Sequence, residues 1–162
     1  MSIVRPMRLY ILSKEAVSLL VENDYALAKE MAEKIDLYND ARKDLDKKMT
    51  EEAVELVREM PDLSEKRGIV IYNPEWHKGV IGIVASRLTE QYYRPVVVLT
   101  ESEGVATGSA RSVSGFDVYK AVQNCADLLQ NFGGHTYAAG LSMKVGQDRN
   151  GDNKDEEWLN RS

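Results

Sequence analysis

Gly68–Thr100 reads GIVIYNPEWHKGVIGIVASRLTEQYYRPVVVLT, and its hydrophobic period changes twice. Gly68–Tyr72, GIVIY, is a short continuous apolar run of the kind a buried strand needs, and Asn73-Pro74 is a turn pair. Gly79–Gln91, GVIGIVASRLTEQ, fits a helix that is apolar around most of its early circumference. Gly82, Ala85 and Ser86 keep one side of it low enough to pack closely on a sheet. Pro95–Thr100, PVVVLT, is a second buried strand.

The pattern extends outward from this core. GVATGSAR, Gly104–Arg111, reads as a strand joined to the previous one through a turn at Glu101–Glu103. Ser114-Gly115-Phe116-Asp117 has the form of a capping box and opens a helix expected to reach about Gln130. Gly133-Gly134 follows as its stop, and AAGLSMKV, Ala138–Val145, closes as a strand. Upstream, Ser13–Val21 reads as a short helix, and the first twelve residues read as irregular or partly extended.

From a cap at Asn23, apolar residues recur near every 3.6 positions at Leu27, Met31, Ile35, Tyr38, Leu45, Met49, Ala53, Leu56 and Met60. That predicts one amphipathic helix to about Glu59, roughly 55 Å long at 1.5 Å per residue. Pro61-Asp62 ends it. The expected fold is α/β, a mixed β-sheet flanked by helices and preceded by a long N-terminal connector helix. Its expected parts are a helical connector over 1–67, an α/β domain over 68–145 and a polar, disordered tail over 146–162.

Composition sets limits. The chain has 162 residues and a net charge of −5, unevenly spread: −3 over residues 1–67, 0 over 68–145 and −2 over 146–162. A strongly basic coat for nucleic acid is excluded, so a polyanion would have to meet a few placed arginines in the neutral middle. The longest apolar runs, such as Val96–Leu99, are too short to span a bilayer and no secretory leader is seen. A cytoplasmic location is expected. The single cysteine, Cys125, lies on an apolar helical pattern and reads as a packed thiol.

Several segments have the residue types for chemistry. Gly108-Ser109-Ala110-Arg111-Ser112 leaves a strand with small residues around one arginine, which suits a phosphate held by amides, hydroxyls and a forked guanidinium. The same letters also describe a turn with a surface arginine. In Phe132-Gly133-Gly134-His135 the glycines serve a helix end or the close approach of a substrate, and the imidazole would sit on the rim of that gap. His77 stands before a helix N-terminus, where it either caps the helix or meets an anion; Trp76 is expected to cover the sheet edge.

Asp44 and Asp46 share a DxD spacing but diverge by about 200° on a helix, and both are expected to be solvated. Asp148–Asp152, DRNGD, has the start of a calcium loop, but Leu159 stands where the bidentate glutamate belongs. No metal-ligand constellation, Ser/His/Asp set or P-loop is evident. The residues alone define an α/β domain with a candidate anion site.

Taken together, WHKGVIGIVASRL (76–88), RPVVVL (94–99), GSARSVSGFDVYKAV (108–122) and LLQNFGGHTYAAGLSMK (128–144) closely resemble the DHHA1 domain of the RecJ family. These are single-strand-specific 5′-to-3′ DNA exonucleases of the DHH phosphoesterase superfamily. The likeness is dense over 68–144, and the long helix resembles the family's connector between catalytic subdomains. It implies that a separate DHH domain binds two Mn²⁺ or Mg²⁺ ions, while the DHHA1 domain closes over them and grips single-stranded DNA.

Carried onto this sequence, the resemblance makes Ser109, Arg111, Ser112, Gly133, Gly134 and His135 the residues touching sugar-phosphate, with His77 an accessory. No DHH motif or acidic metal cluster occurs in the 162 residues, so two-metal activation of water is not assembled from them. The chain reads as a fragment or truncated product, a gripping half expected to be inactive alone. Two other functions fit the same residues. One is a module for short oligonucleotides or cyclic dinucleotides; the other is a helix-mediated interaction or self-association element, with the stripe from Leu27 to Met60 left uncovered.

Overall fold

The structure, a computed structural model, describes residues 7–145, with side chains from residue 14 onward. The chain divides into two compact units, Met1–Lys48 and Met49–Ser162. The DRNGD segment and Leu159 lie outside the described residues.

The first unit is helical. Helix α1 spans Met7–Val21 and α2 spans Tyr25–Arg58, its last turns belonging to the second unit. Helical structure from Met7 corrects the expectation of an irregular opening. The cap of α2 is Asp24 rather than Asn23: its Oδ1 accepts from the amides of Ala26 (2.8 Å) and Leu27 (3.1 Å). Lys34 Nζ donates to Glu15 Oε1 at 2.9 Å and so ties α2 to α1.

In the second unit the apolar stripe of α2 is covered. Met49, Ala53 and Val57 are at most 2% exposed, whereas Leu56 is 37% exposed. The seam therefore steps by four from Ala53 to Val57, and the C-terminal third of the stripe is not the free surface expected from sequence. Asp46 is likewise buried, at 7% exposure, which corrects its reading as solvated; Asp44 is exposed. Asp46 precedes Met49 by three, so it shares the stripe.

Five strands follow: β1 (Ile69–Tyr72), β2 (Val96–Ser102), β3 (Val105–Arg111), β4 (Asn131–His135) and β5 (Ala138–Lys144). Their order is β1-β2-β3-β5-β4, with β1 parallel to β2 and the other pairs antiparallel, a mixed sheet as expected. Helix α3 (Ile81–Tyr92) makes the crossover between the parallel strands. The β2–β3 hairpin turns at Glu103-Gly104, both at positive φ (56° and 75°), the conformation a two-residue turn of this hand requires.

Each face of the sheet has its own cover. On one face, Val97, Leu99, Ala110, Ala139 and Leu141 pack with Val118, Val122 and Cys125 from helix α4 (Val118–Gln123) and the turn after it. The thiol of Cys125 is thus part of the core. The other face receives α3 through Val84, Ala85 and Leu88, all fully buried. Trp76 is 5% exposed; its indole donates to Glu52 Oε2 at 2.8 Å and its carbonyl accepts from Thr100 Oγ1 at 2.5 Å. It is a core anchor beside the sheet, not only a cover for its edge.

Two local readings change. Helix α4 is far shorter than the expected run to Gln130, and its cap is Asp117, whose Oδ1 accepts from the Lys120 amide at 3.0 Å. Gly115 at φ 88° keeps Ser114-Gly115 in a turn, so the capping box does not close. The chain then makes a short 3-10 turn, Ala126–Leu128, and enters β4, its Gln130 amide donating to Ser142 O at 2.8 Å. Gly133-Gly134 therefore pairs in a strand and does not stop a helix.

Candidate functional site

Strand parity decides which groups meet. Residues directly opposite one another in a sheet project from the same face. Arg111 of β3 is opposite Ala138 of β5, which is opposite His135 of β4. The next row on that face is Ser109, Gly140 and Gly133, and the one after it Thr107, Ser142 and Asn131. Two strand spacings separate the ends of a row, about 10 Å.

This is the face that α3 covers over β2 and β3. Over β5 and β4 that face is open: Gly140, Gly133, His135 and Asn131 are all exposed. The floor is nearly free of side chains. A Cβ on Gly133 would meet nothing within 4 Å, and one on Gly140 only the Gly108 carbonyl at 4.0 Å. The result is a shallow shelf of backbone with Arg111 and Ser109 along one side and His135 at the opposite corner.

Arg111 is held closely. Its Nη1 donates to Ser109 Oγ (3.0 Å) and to the Ala110 carbonyl (2.8 Å), and its Nε donates to Ser86 Oγ of α3 (3.2 Å). The forked contact expected from sequence would need both terminal nitrogens. Nη1 is already engaged, and Nη2 is the nitrogen with no acceptor among the described residues. The guanidinium is half-buried and always charged, so it brings one fixed positive charge to the shelf.

His135 is set by the β4–β5 hairpin. Its Nδ1 accepts from the Tyr137 amide at 3.3 Å, so the neutral ring carries its proton on Nε2. The loop itself is pinned on two sides: the Val118 amide donates to Thr136 O and the Ser112 amide to Tyr137 O, both at 3.0 Å. The imidazole thus stands on a braced turn and offers a donor to solvent.

The other sequence-derived residues fall outside the shelf. Ser112 Oγ donates to Phe116 O at 2.7 Å and braces the chain after β3. Gly134 projects to the opposite face, where a Cβ would lie 2.2 Å from the Ala138 carbonyl. His77 caps the turn before α3, its Nδ1 accepting from the Gly79 amide at 3.0 Å. Burial, then the nearby Lys78 charge, lowers its pKa from the usual histidine value. Sequence reading missed Ser86 as a partner of Arg111 and Gly140 as part of the floor; Gly140 follows from β3–β5 parity, but the Ser86 contact crosses from helix to strand.

Residues 65–157 match the DHHA1 domain family, and the chain belongs to that family. Its curated relatives are RecJ proteins. Bacillus subtilis single-stranded-DNA-specific exonuclease RecJ is 43% identical over 132 residues, covering 80% of this chain and 16% of that protein. The Escherichia coli protein of the same name is 35% identical over 158 residues, covering 90% of this chain and 27% of its own length. The crystal structure of RecJ from Thermus thermophilus in complex with Mn²⁺ matches with a TM-score of 0.71 at 34% identity, over 81% of this chain and 19% of that one.

The chain thus corresponds to the DHHA1 part of RecJ exonucleases and spans a sixth to about a quarter of their length. RecJ has been crystallised with Mn²⁺ and with Mg²⁺. The residues described here do not fit such an ion: no three His, Cys, Asp or Glu side chains among them come together. No helix among them is long and apolar enough to cross a membrane.

Proposed function

We propose that this chain is the substrate-gripping part of a RecJ-like 5′-to-3′ single-strand DNA exonuclease. The sugar-phosphate backbone lies on the shelf formed by β3, β5 and β4. Arg111 neutralises a phosphate, Ser109 lines its side, Gly133 and Gly140 let the strand approach the sheet backbone, and His135 donates from Nε2 at the far corner. The Mn²⁺ or Mg²⁺ ions and the hydrolytic step belong to a DHH domain of the intact enzyme. Ser112 and Gly134 serve by shaping the hairpin that carries His135.

The observation that carries this reading is the register. Strand β3 and the β4–β5 hairpin put an arginine, a serine, two glycines and a histidine on one face of the sheet, open over β5 and β4. Every nucleotide has a phosphate and a flat base, and a floor nearly free of side chains beside a fixed guanidinium suits them without reading sequence.

The test is fluorescence anisotropy of labelled oligo(dT), about 12 nucleotides long, against the purified chain. Binding should weaken with salt at a log-log slope of about −1, the value for one or two phosphates on a single strand. Arg111→Ala should reduce it several-fold, and Mn²⁺ should produce no cleavage of the oligonucleotide. Binding that ignores both salt and Arg111→Ala would overturn the reading. Equal affinity for a dinucleotide and the longer strand would point to a short-oligonucleotide module.

A further inference from the structure

We infer that Gly82 and Ser86 of α3 are positioning residues for Arg111, and that they restrict the ligand to one end of its guanidinium, Nη2. This rests on the reading of Arg111 as a phosphate contact and adds what sets its pose. The Ser86 hydroxyl donates to the Gly82 carbonyl at 3.1 Å, which leaves its lone pair to accept from Arg111 Nε at 3.2 Å. The hydroxyl's direction is therefore fixed by the helix before the arginine arrives.

A guanidinium is planar, so tying Nε and Nη1 fixes where Nη2 points. With Nε on Ser86 and Nη1 on Ser109 and Ala110, the plane is determined by three bonds from two elements. Gly82 supplies the space. A Cβ there would stand 3.0 Å from Arg111 Nη2 and 3.2 Å from Ser109 Oγ, tighter than nine in ten real Cβ contacts, so the guanidinium would have to give way by a few tenths of an ångström. The position lies in the first turn of a helix at ordinary φ, where alanine is otherwise the better residue. Glycine there clears the path of the one nitrogen that no described protein group occupies.

Only Nη2 meets the phosphate, so lysine at 111, a point charge without the three anchoring bonds, is not equivalent. The experiment measures oligo(dT) binding by anisotropy for Arg111→Ala, Ser86→Ala, Ser86→Thr and Gly82→Ala, and for Ser86→Ala and Gly82→Ala combined with Arg111→Ala. Urea melts of each variant check folding. Ser86→Ala and Gly82→Ala should each weaken binding about three- to tenfold, the range of one lost hydrogen bond. Ser86→Thr, which keeps the hydroxyl, should bind as the unaltered chain does.

On the Arg111→Ala background neither change should have a further effect, because both act through the arginine. Losses that add to that of Arg111→Ala, or normal binding by both single variants while Arg111→Ala binds weakly, would overturn the positioning role and leave the interface standing. Unchanged binding by Arg111→Ala would overturn both.

Discussion

Gly133 and Gly134 are adjacent in sequence, but alanine should affect them in opposite ways. At Gly134 the backbone has φ 153°, and a Cβ would lie 2.2 Å from the Ala138 carbonyl oxygen and 2.6 Å from the Ala139 Cα. Both obstacles are backbone atoms in the paired strand, so no rotamer change relieves them. Overpacking of this kind costs about 1–3 kcal/mol, and a side chain forced into a disfavoured backbone region adds about 1–3 kcal/mol. Allowing for shared relaxation, Gly134→Ala should destabilise the domain by about 2–4 kcal/mol, since overlapping terms at one site are not fully additive.

At Gly133 the added methyl meets nothing within 4 Å and φ is not in the left-handed region. Replacing glycine at a compatible position lowers the entropy of the unfolded chain, so Gly133→Ala should be neutral or stabilising by up to about 1 kcal/mol. Equilibrium urea unfolding followed by tryptophan fluorescence reads both. With an m-value of about 2 kcal/mol/M, Gly134→Ala lowers the midpoint by about 1–2 M. Gly133→Ala leaves it in place or raises it slightly, while weakening oligo(dT) binding because the methyl rises from the shelf. Equal midpoints for the two variants would refute the parity argument, and normal oligo(dT) binding by Gly133→Ala would refute the shelf.

Two further outcomes are expected. Ala53 is fully buried in the seam of α2, so Ala53→Leu should cost about 1–3 kcal/mol by overpacking, visible as a lower urea midpoint. His77 should make stability depend on pH. Its folded pKa is lowered below the unfolded value of 6.5, so the unfolded chain takes up the proton first as pH falls. The contribution is complete above pH 6.5 and is lost as pH drops through the folded value, when Nδ1 can no longer accept from Gly79. His77→Ala should flatten the pH 7.5-to-5 decline in urea midpoint relative to the unaltered chain; an unchanged decline would exclude His77 as its source.

The strands of the central sheet were legible because their signal is local. PVVVLT and GIVIY are apolar runs bounded by turn residues, and α3 between them has helical period. Strand β4 was not, since NFGGH has little intrinsic preference and becomes a strand by pairing along β5. The same gap explains the over-long expectation for α4: Ser114–Asp117 has the letters of a capping box, but Gly115 takes a left-handed turn and moves the start to Asp117. Asp46 shows the opposite error. Its three-residue spacing from Met49 puts it on the buried stripe, and the divergence of about 200° that argues against a DxD pair leaves Asp44 exposed on the other side.

The site was legible by residue type and only partly by geometry. Ser109 and Arg111 share a face because they are two apart on one strand. That Gly133 joins them and Gly134 does not depends on the β4–β5 register, which a one-residue slip would reverse. The motif as a string does not separate the two glycines, whereas the pairing puts Gly133 on the open face and Gly134 on the opposite one.

Alternation lets one strand do two jobs without compromise. On β3, Ala106, Gly108 and Ala110 face α4's core, where Gly108 is squeezed between Leu99 and Leu141, its absent Cβ only 2.6 Å from Leu99 Cδ2. Thr107, Ser109 and Arg111 face the other way. The small residues of one face fix the strand tightly against its neighbours, and that rigidity is what holds a hydroxyl and a guanidinium steady on the opposite face. Rigid backing of this kind is worth more to a face with few cations, here Arg111 and, three rows along on β5, Lys144, than to one with many. A basic surface tolerates misplacement because other charges compensate; the segment 68–145 has no net charge, so under the proposed grip the position of Arg111 does what a general field does elsewhere.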